Sequence, residues 1–85
     1  MLEITLQVPT PFYRQQLPGV NIGRLDQVLP ANLVIEILDD PTSLKVDGDY
    51  LYCLPCQVHF AGKGIRPGFI RQADLSAANI DQLEI

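Results

Sequence analysis

Tryptophan is absent from this chain, and methionine and histidine each occur once. No apolar run approaches the roughly 20 residues that a membrane-spanning helix requires. The opening Met1-Leu2-Glu3-Ile4 lacks the basic start and long apolar stretch of a secretory signal. Charged residues make up only 19% of the sequence, with ten acids, six bases and a net charge of −4. An acidic chain gains little from the counterion release that drives non-specific nucleic-acid binding, and anionic lipid repels it. There is no internal repeat, low-complexity tract or inter-domain linker. These absences lead us to expect no membrane or nucleic-acid partner and a cytoplasmic or virion-associated protein. Residues 1–85 read as a single small domain, complete from its initiator Met.

What is present reads mostly as strand. Leu2, Ile4, Leu6 and Val8 alternate with Glu3, Thr5 and Gln7, the period of a half-buried strand. Pro9 and Pro11 stop it, and the stretch from Pro9 to Gly19 reads as a loop around Phe12, Tyr13 and Leu17. Ile22 to Leu29 fits either a strand or one helical turn ending before Pro30. Leu33 to Leu38 is a β-branched strand, ended by Asp39-Asp40-Pro41. Asp47-Gly48 is the strongest turn signal and predicts a type I′ hairpin. Strand character continues to Leu54, breaks at Pro55 and resumes from Gln57 to Phe60. After the Gly62-Lys63-Gly64 turn comes a bent strand, Ile65 to Arg71. A helical turn capped by Ser76 and a last strand around Leu83 and Ile85, paired with the first, complete the reading. The expected fold is all-β, a small barrel of five to six short strands with a short helical turn.

From Asn21 onward the features follow a recognisable order: Gly23-Arg24-Leu25, Leu29-Pro30, Leu33 to Leu38, Gly48-Asp49-Tyr50, and Gly68-Phe69-Ile70 before Ala73-Asp74-Leu75. In this the chain resembles the bacterial SH3-like family, over about two thirds of its length. Phe69 stands where that family usually carries a tryptophan. The resemblance implies an SH3-like barrel, and such barrels typically serve as binding modules or as small subunits of larger assemblies.

Cys53-Leu54-Pro55-Cys56, with His59 beyond it, is the one sharp local motif. Three readings stand: two structural thiols flanking a proline bulge, a zinc site using Cys53, Cys56 and His59 with a fourth ligand from elsewhere, or a redox dithiol. The redox reading lacks the helix that would follow the motif and lower a thiol pKa. Gly62-Lys63-Gly64 lacks the spacing of a phosphate loop and reads as a turn. A Cys–His nucleophile would need an oriented attack and an oxyanion pocket, and no residue is placed for either. We therefore expect no catalytic residues, no enzyme and no obligatory cofactor, with zinc as the alternative.

The charges are unevenly placed. No acid occurs between Tyr50 and Ala73, where Lys63, Arg66 and Arg71 lie, while Glu36, Asp39, Asp40, Asp47 and Asp49 gather elsewhere. If the fold sets these groups on opposite sides, the resulting dipole suits docking to a partner; otherwise they form an ordinary solvated surface. Tyr50 and Tyr52 share one strand face, where they either cap the core with their hydroxyls in water or, with Phe12 and Tyr13, line a groove for an extended segment. Arg66, Arg71 and Phe69 complete the candidate partner-binding set; holding single-stranded RNA through Arg66, Arg71, Tyr52 and Phe69 is the lesser use of these residues. The expected function is a non-catalytic protein-interaction or assembly module, acting on a protein partner or by self-association.

Overall fold

The computed structural model describes residues 2–62 and 64–78. They form seven strands and one helix: β1 (Leu2–Thr5), β2 (Thr10–Gln15), β3 (Ile22–Leu29), β4 (Val34–Ile37), β5 (Thr42–Val46), β6 (Asp49–Phe60), β7 (Gly64–Arg71) and α1 (Gln72–Ala78). All strands belong to one sheet, in the order β1-β4-β6-β5-β3-β2-β7, and β7 also pairs with β6. That last pairing closes β6, β5, β3, β2 and β7 into a ring, with β4 and β1 continuing the sheet from the far half of β6. The protein is thus all-β, with seven strands where five to six were expected. No helix among the described residues is long and apolar enough to cross a membrane.

The alternation of the first segment holds through Leu6. Ile4 and Leu6 are fully buried, and the Leu6 N–H donates to the Leu33 carbonyl at 2.9 Å. Val8 falls off this face and is 45% exposed. Two readings need correction at prolines. The segment taken as a loop contains β2, with Pro11 opposite Val28 of β3. On its other edge β2 meets β7 only at Tyr13↔Phe69, so Pro11 deprives no neighbour there of a donor. Likewise β6 runs unbroken through Pro55. One edge of β6 pairs with β5 as far as Cys53, then with β4 from Cys56. Pro55 sits in the changeover, where its carbonyl accepts from the Leu38 N–H at 2.9 Å.

β3 is strand throughout, not a helical turn. The apolar residues at helical spacing, Ile22, Leu25 and Val28, are all exposed, so their spacing reports the surface rather than a core face. The Asp47-Gly48 hairpin forms as expected, with positive φ at both residues (52° and 85°). The helix begins at Gln72, so Ser76 lies within α1 rather than at its start. The expected strand around Leu83 and Ile85, and the turn lysine Lys63, lie outside the described residues.

Two apolar clusters fill the molecule. The larger holds Ile4, Leu6, Phe12, Leu29, Ile35, Ile37, Leu54, Cys56, Val58, Ile70 and Leu75. The smaller holds Tyr13, Leu44, Val46 and Cys53, with Leu51 and Phe69 packed against it. Phe12-Tyr13, Cys53-Leu54 and Phe69-Ile70 each divide one adjacent pair between the two clusters. Successive strand residues point to opposite faces, so β2, β6 and β7 all pass between the cores at these steps.

Gly68 lies at the tightest point. A Cβ there would run into the buried Phe12 ring and approach the Tyr13 carbonyl oxygen to 2.7 Å. Neither neighbour is the free end of a flexible side chain. Gly68→Ala is therefore expected to lower stability by about 1–3 kcal/mol, the usual cost of overpacking, whereas Ala73→Gly at the exposed start of α1 stays within about 1 kcal/mol. Urea denaturation of the two variants checks this; a wild-type midpoint for Gly68→Ala would show that the contact relaxes freely.

Candidate interaction surface

The Cys53-x-x-Cys56 motif lies in the middle of β6. Three positions along a strand reverse the side chain, so the two thiols face opposite sides of the sheet. Cys53 is fully buried in the smaller core and Cys56 almost fully in the larger. His59 shares the parity of Cys53, but it is exposed and its Nε2 lies 2.7 Å from Glu36 Oε1 on β4. Cys53, Cys56 and His59 thus do not converge as zinc donors, and no cluster of three or more His, Cys, Asp or Glu side chains suited to a metal occurs among the described residues. Burial raises the Cys53 thiol pKa to about 11 and that of Cys56 to about 12. Both are protonated near neutral pH, the reverse of what nucleophilic or metal-binding thiols need.

The six aromatic side chains are divided in the same way. Phe12 is fully buried and Tyr13 nearly so, each in its own core, and burial is the main cause that raises the Tyr13 pKa. Neither joins Tyr50 and Tyr52 in a groove. Phe60 and Phe69 are half-buried against the larger and smaller cores respectively. Tyr50 and Tyr52 stand out at 73% and 57% exposure, with the Lys45 ammonium 5.7 Å from the Tyr50 ring centre. Together with Arg71 and Gln72 they border an open cleft of about 380 Å³ at the start of α1.

The even-numbered face of β6 carries Tyr50, Tyr52, Leu54, Cys56 and Val58. The last three are sealed in the larger core, while the two tyrosines continue the same face into solvent. No protein-family model, curated protein or solved structure matches the chain. The surface must therefore be read from its own geometry.

Arg71 is not a free cation. Its Nε and Nη2 donate to the two carboxylate oxygens of Asp74 at 2.9 and 2.8 Å, fastening the end of β7 to the first turn of α1. That hydrogen bonding is the leading cause that raises the Arg71 pKa. Arg66 is exposed and borders a polar cleft with Arg14, Asp26, Gln27 and Phe60. Arg14 also reaches a second, more apolar cleft of about 390 Å³ lined by Pro18, Leu38, Pro55 and Phe69. Sequence reasoning missed Arg14 and Arg24 altogether. The antiparallel register of β2 and β3 sets them directly opposite each other. Recognising the Pro11 segment as a strand would have paired them.

The thiols give a signed pH dependence. In the unfolded chain both ionise around their ordinary value of 9.0; in the folded chain they do so only near 11 and 12. Below pH 9 both states keep their protons and this contribution is fully present. As pH rises through 9 toward 12, the unfolded chain sheds protons that the folded one retains, and stability falls. The urea midpoint should therefore drop over that window, and drop less in Cys53→Ala/Cys56→Ala. At pH 8 both thiols should react with Ellman's reagent only after urea is added; prompt native reaction would contradict the sealed geometry.

Proposed function

We propose that this chain is a non-catalytic protein-interaction or assembly module that docks a protein partner on its Tyr50–Tyr52 face. One observation carries the reading: these tyrosines extend the face of β6 that elsewhere forms the larger core, yet they stand exposed among the described residues. Tyrosines contribute large contact area at low entropic cost and are enriched at interfaces for that reason. The neighbouring cleft, lined also by Leu51, Gln72 and Ala73, gives a docked segment a lateral boundary. The ring of five strands, the tight β5–β6 hairpin and β7 running into α1 support reading the fold as an SH3-like barrel. Such barrels commonly act through surface grooves, although fold alone is a weak guide to activity. The protonated thiols and the ion-paired Arg71 favour a binding role over a catalytic one.

Photo-crosslinking tests the surface directly. Benzoyl-phenylalanine replacing Tyr50 or Tyr52, in cells that naturally make the chain, should yield one defined covalent protein adduct. The same probe at Asp40, on the exposed β4–β5 turn, should not. A second copy in the adduct would identify self-assembly, and a different chain a dedicated partner. Failure at both tyrosines, or equal crosslinking at Asp40, would overturn the reading.

A further inference from the structure

We propose that Arg14 and Arg24 form a binding site for a phosphate group carried by a small ligand, on the exposed side of the β2–β3 ladder. The site is independent of the Tyr50–Tyr52 face. The two arginines are direct cross-strand partners, and both are exposed. Directly opposed residues on an antiparallel pair hold their Cβ atoms roughly 5 Å apart, where like charges destabilise the sheet. Among the described residues little relieves this: the one carboxylate paired with Arg14 is Asp26, at 3.9 Å between exposed groups. Arg24 makes no ion pair or side-chain hydrogen bond among the described residues. The parallel register of β3 with β5 brings the Asp47 turn toward Arg24, but no ion pair forms there either.

Between the arginines lies a polar cleft of about 310 Å³, whose remaining walls are Gln15 and Gln16. The Gln15 amide is held in place by donating to the Val20 carbonyl at 3.2 Å. Arg66 approaches Arg14 from the other side, across the cleft that also contains Asp26. Three arginines thus gather against one paired carboxylate in a chain whose net charge is −4.

The donor count selects the ligand class. One guanidinium fork engages both oxygens of a carboxylate and fills two of their roughly four lone-pair sites. Two forks and an amide call for an acceptor with more oxygens, which a tetrahedral phosphate provides. The surroundings select a small ligand. A long polyanion leaving the cleft would meet Asp26 on one side and the Asp47–Asp49 turn on the other, and each would repel it.

Titration of the ¹⁵N-labelled chain with inorganic phosphate, then pyrophosphate, at fixed ionic strength tests the site. Saturable shifts are expected at Arg14, Arg24 and Gln16, with dissociation constants on the order of 1 mM or below, tighter for pyrophosphate. Arg24→Gln should weaken binding at least about tenfold, the scale of one charge-assisted hydrogen bond. The same variant should raise the ligand-free melting temperature by relieving the Arg14–Arg24 repulsion. Lys45→Gln, an equal charge change on β5 outside the cleft lining, should weaken binding far less. The proposal fails if chloride reproduces the shifts, if Arg24→Gln and Lys45→Gln weaken binding equally, or if no shift saturates. It also fails if a single-stranded oligonucleotide binds far more tightly than pyrophosphate, which would make the patch a polyanion surface.

Discussion

The structure depends on one packing constraint: three strands must each pass from one core to the other within a single step. At Phe12-Tyr13, Cys53-Leu54 and Phe69-Ile70, neighbouring residues are committed to different clusters. Such a step works only if the strands coil together. Gly68 makes that possible where β7 crosses under the Phe12 ring, because no side chain larger than hydrogen fits between them. Gly23 does the same on the opposite wall, where an added Cβ would lie 2.6 Å from Leu44 Cδ2 and 2.9 Å from the Arg14 carbonyl oxygen. A small chain obtains two cores this way without a second layer of structure. Each core is too small to stand alone, so each relies on the strands it shares with the other.

The proposed docking surface follows from the same geometry. Because β6 is buried on one face along its first half and on the other along its second, each half leaves an opposite face uncovered. The first half presents Tyr50 and Tyr52. The second presents Gln57 and His59, whose imidazole is tied to Glu36. The thiols fall at the crossover and are sealed on both sides of it, which is why a motif that suggests chelation in one dimension holds no common site in three. A CxxC pair grips a metal where the chain turns; on an extended strand the same spacing drives the sulfurs apart.

Much of this was legible in the sequence, and the failures share a cause. The β1 alternation, the β4 run and the Asp47-Gly48 hairpin rest on local rules and hold because local and tertiary preferences agree there. The loop assigned around Pro11 and the break assigned at Pro55 failed because proline is excluded from a strand only where a neighbour needs its missing N–H. Whether a neighbour exists is a property of the sheet, not of the segment. The helical spacing in β3 misled for a different reason. Ile22, Leu25 and Val28 are surface residues, and no periodicity rule distinguishes exposed apolar side chains from buried ones. Of the four aromatics read together as a groove, Tyr50 and Tyr52 are exposed while Phe12 and Tyr13 are spent on the two cores.

The β2–β3 ladder shows what that kind of omission conceals. Beyond Gly23, β3 pairs only with β2, so its outer edge is open from Arg24 to Leu29 among the described residues. An open edge with exposed Leu25 and Val28 invites pairing with another strand. Here the ladder carries a register shift between Phe12 and Tyr13, with Asp26 as the extra residue on β3. A bulge that twists an edge is a recognised guard against edge-to-edge association, and a charged residue at that point strengthens it. The same bulge brings Asp26 within reach of Arg14 while leaving Arg24 without an ion pair among the described residues. One irregularity thus discourages sheet extension and maintains an imbalance of charge on the neighbouring surface. Stability alone would favour a carboxylate opposite Arg14, since opposite charges in that register attract. A second arginine there is better explained by an anion that arrives from outside the chain.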